Sequence, residues 1–128
     1  MADKISVIYV EPGKCPELIE IENTYNAKRM LVGGDIEVED LSLEDHVAMV
    51  CNESGKAEGL PLNRAIWGEG HKLVDVVAGA FFIAYLPSDS FESIPDDLAS
   101  KYLEKFKHPE MFFDAGDGIE VKPYTPAS

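Results

Sequence analysis

Residues able to hold a ligand concentrate between Cys51 and Lys72. Arg64 carries a guanidinium that can grip a phosphate or carboxylate through two parallel N–H donors. Asn52 and Asn63 offer amides to a base or ribose, Lys56 adds a second cation, and Trp67 presents a ring face for stacking. Within this stretch Lys56, Arg64 and Lys72 balance Glu53, Glu58 and Glu69, so it is neutral inside a strongly acidic chain. Gly55, Gly59, Gly68 and Gly70 leave main-chain N–H groups open to close approach by an anion. Asn52, Lys56, Asn63, Arg64 and Trp67 are therefore the candidate site, suited to a small anionic or nucleotide-like ligand. Gly59-Leu60-Pro61 is the corner that would aim Arg64, and Gly68-Glu69-Gly70 the loop that would close over a guest. In that arrangement Arg64 is a surface residue, and Arg64→Ala leaves folding intact. Each residue also has a purely structural role open to it: turn-shaping asparagines, an arginine paired with an acid, a tryptophan in the core or a subunit seam.

Catalysis finds less in the residues. Cys51, Asn52 and His71 can be drawn as a triad, but no nucleophile signature surrounds them, and a buried strand cysteine is the commoner occurrence. Cys15, Cys51, His46 and His71 lack the close spacing of zinc ligands, and no calcium loop is present. Gly68-Glu69-Gly70 lacks the third glycine and the strand–helix context of a dinucleotide fingerprint. The expectation is a protein that is not an enzyme, with no catalytic residue, metal or cofactor.

The charge narrows the partners. Eleven Lys and Arg stand against 24 Asp and Glu, a formal −13 over 128 residues. Direct binding of nucleic acid, which draws on clustered cations, is excluded on that ground. An acidic surface that imitates nucleic acid and occupies a basic host protein is compatible, as is charge that only keeps the chain soluble. Asp35, Glu37, Glu39, Asp40, Glu44 and Asp45 form the strongest such run. The apolar segment Val76 to Leu86 falls short of the roughly 20 residues that span a bilayer. With no signal-like start and two cysteines read as free thiols, no membrane and a cytoplasmic setting are expected.

The elements that would position these residues follow from patterning. Ile5 to Val10 is apolar on both sides and suits a buried strand; Glu11-Pro12-Gly13-Lys14 turns it into a hairpin with Leu18 to Glu22. Asn23-Thr24 caps a helix that Gly33-Gly34 ends. Asp35 to Leu41 is a strand with Ile36 and Val38 inward, and His46 to Cys51 another, turned by Asn52 to Gly55 onto a partner strand at Lys56 to Gly59. Val74 to Leu86 is the central strand, with Gly79 marking a bulge or close backbone approach. Ser93-Ile94-Pro95-Asp96 has the form of a capping box for a helix carrying Leu98, Tyr102 and Phe106 at four-residue spacing. The sum is a single α+β domain over residues 1–128: a mostly antiparallel sheet with two helices packed on one face, and an extended C-terminal tail over 109–128. Phe112, Phe113 and Tyr124 in that tail exceed what so small a body can bury, which points to a homo-oligomer.

Several stretches in order resemble a family known as domain of unknown function 3846: Val10-Glu11-Pro12-Gly13-Lys14, Asn23-Thr24, Val32-Gly33-Gly34 with Ile36-Glu37, and Val50-Cys51-Asn52-Glu53. Gly55-Lys56, Gly59-Leu60-Pro61-Leu62-Asn63-Arg64, Gly79-Ala80-Phe81-Phe82-Ile83 and Lys101-Tyr102-Leu103-Glu104-Lys105-Phe106 continue it. The resemblance implies a phage or mobile-element origin and carries no activity or catalytic residue. The resulting expectation is a non-enzymatic phage-type binding protein, a counter-defence protein that sequesters a small nucleotide-like ligand. The alternatives are an acidic nucleic-acid mimic that inhibits a host protein, and a small enzyme whose residues carry no recognisable signature.

Overall fold

The computed structural model describes residues 3–40 and 45–126. Strand β1 (Lys4–Val10) lies inside a five-stranded antiparallel sheet with β2 (Glu17–Glu22), β3 (Ile36–Glu39), β4 (Val47–Asn52) and β7 (Phe81–Tyr85), in the order β2-β1-β7-β4-β3. A two-stranded ribbon, β5 (Leu62–Trp67) with β6 (Leu73–Ala78), packs beside it, and β8 (Glu110–Asp114) with β9 (Ile119–Pro123) forms a C-terminal hairpin. Helices α1 (Tyr25–Val32) and α2 (Asp96–Lys105) complete the α+β arrangement. Among the described residues no helix is long and apolar enough to cross a membrane.

The helices lie on opposite faces of the sheet, one each, where a common face was expected. Alternate side chains of a strand point to opposite faces, and the three central strands are apolar on both. Ile8, Val10, Met49, Phe81 and Ile83 pack with Tyr102 and Phe106 at the α2 end and with Ile66 and Val77 of the ribbon. Ile5, Val7, Val50, Phe82 and Ala84 pack with Leu31 and Val32 of α1. A sheet that is apolar on two sides needs a cover on each, so one helix goes to each side.

Several local expectations hold in detail. Thr24 Oγ1 accepts from the Ala27 N–H at 3.1 Å, and Gly33, at φ 78°, closes α1 by donating to Arg29 O at 2.9 Å. The first hairpin forms in regular register, from Lys4 opposite Glu22 to Tyr9 opposite Glu17. Others are overturned. Ser93 does not cap α2; its Oγ accepts from the Ser6 N–H at 2.9 Å and braces β1, while Asp96 and Asp97 occupy the first helical turn. Lys56 to Gly59 is turn rather than strand, knit by Glu58 N–H to Ser54 O (2.8 Å) and Leu60 N–H to Gly55 O (3.0 Å). Ile36 packs inward, but Val38, farther along the edge strand β3, is 45% exposed. Leu41 and Glu44 lie outside the described residues.

The long apolar run is two strands in two different sheets. Gly79, at φ 86°, turns the chain between β6 and β7, and its N–H donates to Pro61 O at 2.7 Å. The left-handed conformation requires glycine, and a Cβ there would also meet Leu60 Cδ1 at 2.8 Å and push that side chain aside. Gly79→Ala should therefore lower unfolding free energy by about 1–3 kcal/mol, measured by urea denaturation. Gly59→Ala meets only the left-handed backbone penalty (φ 70°, nothing within 4 Å) and should cost about 1–2 kcal/mol. Equal stability of the Gly79 variant and the parent would refute the turn assignment.

Candidate functional site

Asn63 and Arg64 stand on β5, and both side chains turn inward. Arg64 is 1% exposed and heads the fully buried side chains by volume. A guanidinium has five N–H groups, and here all five end on neutral oxygens. Nε and Nη2 donate to Phe106 O at 3.2 and 2.9 Å, and Nη2 also donates to Lys14 O at 2.7 Å. Nη1 donates to Asn63 Oδ1 at 2.9 Å and Asn63 O at 3.3 Å. Asn63 in turn donates from Nδ2 to Val10 O and Gly79 O, each at 3.0 Å. No donor of Arg64 is left for a ligand. The pair ties the β1–β2 turn, the end of β1, the β6–β7 junction and the last carbonyl of α2 to the ribbon.

Burial disfavours the guanidinium charge, and the nearby Glu110 carboxylate opposes that effect. Glu110 is itself held above the ordinary carboxylate range by burial, although it accepts from the Ala65 N–H at 2.7 Å and feels Arg64. The acid anticipated beside Arg64 is thus present as a neighbour, while main-chain carbonyls take the hydrogen bonds. A helix C-terminus offers unpaired carbonyls and the negative end of its dipole, which is why a cation is stable at Phe106 O.

Trp67 sits at the far end of β5, half-buried, with its indole stacked on the His71 imidazole at 4.4 Å and 8°. His71 is held at φ 57° after Gly70 at φ 69°, so the Gly68-Glu69-Gly70 loop serves that stack. This arrangement also removes His71 from the triad drawn with Cys51.

Asn52 and Lys56 do line a cleft, of about 360 Å³, between the β3–β4 edge and β6. Asn52 is buried and occupied: Nδ2 donates to Val32 O at 3.2 Å and Oδ1 accepts from Ser54 N–H at 2.8 Å. Lys56 is ion-paired with Asp75. The other walls bring Glu37, Glu39 and Glu53, so carboxylates dominate. Asn63, Arg64 and Trp67 do not line the cleft. The five candidate residues therefore divide among a buried clamp, a stacked pair at the ribbon end and an acidic cleft. Missed in the sequence were Glu37, Glu39 and Asp75 as cleft residues. Glu37 and Glu39 share a strand face by their two-residue spacing, a signal that was available; Asp75 is a lone acid in an apolar run.

Glu39 is pushed up to about 7, first by its hydrogen bond with Glu37, then by burial and by the charges of Glu37 and Asp75, with Lys56 opposing. Cys51 is pushed up to about 12 by burial and then by Glu39, Glu37 and Asp75, and its thiol donates to Glu37 O at 3.8 Å. A thiol so disposed is no nucleophile at neutral pH. Among the described residues no three Cys, His, Asp or Glu converge to hold a metal ion.

The fold is thus that of a small α+β protein whose two buried cations, Lys28 and Arg64, knit the scaffold and most of whose described carboxylates are exposed. By sequence the chain belongs to the family described as domain of unknown function (DUF3846), whose model matches residues 5–107 of the 128. No curated protein and no solved structure matches the chain.

Arg64→Ala would leave Phe106 O, Lys14 O and Asn63 Oδ1 short of their donor in a buried place. A loss of about 3–5 kcal/mol in unfolding free energy is expected, reversing the surface role anticipated from sequence; a loss below about 1 kcal/mol in chemical denaturation would refute the clamp. For Glu39, a folded value near 7 against an ordinary 4.5 means that the unfolded chain binds fewer protons between those values. Stability should then fall as pH rises from 4.5 to 7 and level off above. Solvent screening limits the effect to the order of 1 kcal/mol. Glu39→Gln should flatten that part of the profile and raise stability at pH 8; an unchanged slope would remove the shared proton.

Proposed function

We propose that this protein is a non-catalytic binding protein that acts through its acidic surface, occupying a basic host protein in place of nucleic acid. The observation that carries this is the enclosure of Arg64 with all five donors filled. The cation best fitted to grip an anionic guest is spent on the scaffold, and Lys28 is likewise buried, donating to Asn23 Oδ1 at 2.8 Å and lying over the Phe91 ring at 4.7 Å. With Arg64 and Lys28 inside, nine of the 11 Lys and Arg remain outside against 24 Asp and Glu in the sequence, so the field that a partner meets is negative. A phage-type counter-defence role fits this reading, since blocking a host protein stoichiometrically needs a surface and no catalytic constellation.

Immobilised protein should retain, from a host lysate, a polypeptide of pI above about 9 that duplex DNA competes off and salt elutes. Retention that duplex DNA does not disturb would overturn the proposal. Direct retention of the protein on a DNA column at low ionic strength would overturn it equally.

Capture of a small molecule is the second reading, favoured by the cleft at Asn52 and Lys56. With Glu37, Glu39 and Asp75 in its walls the guest must carry positive charge rather than phosphate. A spermidine-induced rise in melting temperature that Glu37→Gln abolishes would select this reading over the first.

Self-association belongs to the proposal as well. Leu62, Phe112, Phe113 and Ile119 form an apolar groove on the C-terminal hairpin, with Phe113 and Ile119 nearly half exposed. Light scattering at micromolar concentration should read a dimer for the parent and a monomer for Phe113→Asp. A monomeric parent would remove self-association from the proposal.

A further inference from the structure

We propose that the outer edge of β2 is the docking strand, where a partner adds an extended segment carrying lysine or arginine at alternate positions. The inference rests on the acidic-surface reading and names its contact. Among the described residues β2 pairs with β1 alone, so its other row of main-chain N–H and C=O groups faces outward. Sheet edges of this kind are templates for strand addition unless they are blunted by proline, a bulge, very short length or charged side chains, and charges of one sign repel a strand of that sign while leaving one of the opposite sign free to add. Glu17-Leu18-Ile19-Glu20-Ile21-Glu22 has six residues, no proline and no lysine, and its pairing with β1 runs without a bulge. The opposite edge, β3, has four residues and offers a shorter template.

The charge selects the occupant. Glu20 and Glu22 project from one face of β2 beside Leu18, which is half exposed. Below that face lies a groove between Cys15-Pro16 and the α2 side chains Leu103 and Glu104, with Lys107 at its rim. A second copy of β2 paired antiparallel over its six residues would set Glu17 against Glu22 at both ends and gather six glutamates with no base on either strand. A strand with basic residues opposite Glu20 and Glu22 meets complementary charge on that face, and its intervening apolar residues fall on the other face beside Ile19 and Ile21. The partner is therefore a basic protein that presents an extended strand.

Two end-blocked peptides of equal charge test this with the full chain: one alternating lysine and valine, the other alternating lysine and proline. Proline cannot donate to a ladder, so only the first can extend the sheet. The lysine–valine peptide should bind at least tenfold more tightly and slow amide hydrogen exchange in Leu18 to Glu22. Glu20→Lys/Glu22→Lys should weaken it by about tenfold or more, while Glu58→Lys/Glu69→Lys, on exposed turns elsewhere, should weaken it much less. Equal binding of the two peptides, or protection that maps away from β2, would overturn the edge proposal and leave the acidic-surface reading standing. Failure of both peptides to bind would overturn the two together.

Discussion

A charged group with no solvent and no direct counter-ion is stable only if every donor finds an acceptor, and Arg64 meets that demand with five hydrogen bonds to neutral oxygens. The acceptors are widely separated in the chain: Lys14 in the first turn, Asn63 on the ribbon, Phe106 at the end of α2. Their positions are mutually constrained because one planar fork must reach them all. Asn63 extends the constraint to Val10 and Gly79. The ribbon, which among the described residues forms no strand ladder with the main sheet, is held in place through these two side chains and through the packing of Ile66 and Val77.

The same clamp decides what the surface can do. With Arg64 and Lys28 inside, and Lys56 and Arg29 engaged by Asp75 and Asp35, the acids are less compensated outside than the composition alone conveys. The cleft illustrates the consequence. Glu37 and Glu39 are brought close enough to share a proton, and that like-charge proximity, with burial, raises Glu39 toward neutrality. The adjoining Cys51 thiol is driven the same way and rendered inert.

Much of the secondary structure was legible because it depends on local chemistry. A threonine before a helix, a glycine after it and a Pro-Gly turn between a two-sided apolar run and an alternating one act through neighbours in sequence, and each appears where expected. The reading failed where a residue had two partners to choose between. Ser93 stands in capping-box position, yet the Ser6 N–H reaches its hydroxyl. The run from Val74 to Leu86 reads as one strand, yet Gly79 sends its halves to different sheets. Residue type alone does not reveal such choices, because the competing partner comes from distant chain.

For the candidate site the division is sharper. The sequence by itself determined an α+β chain with a negative surface, a central set of two-sided apolar strands, and polar residues gathered between Cys51 and Lys72. Only the tertiary structure decided which way those polar residues face. Asn63 and Arg64 lie adjacent on one strand, and from sequence an arginine aimed at solvent and one aimed at a helix terminus look the same. The end of α2 supplied the Phe106 carbonyl beside β5, and a guanidinium that satisfies it together with Lys14 O and Asn63 is more stable buried than exposed.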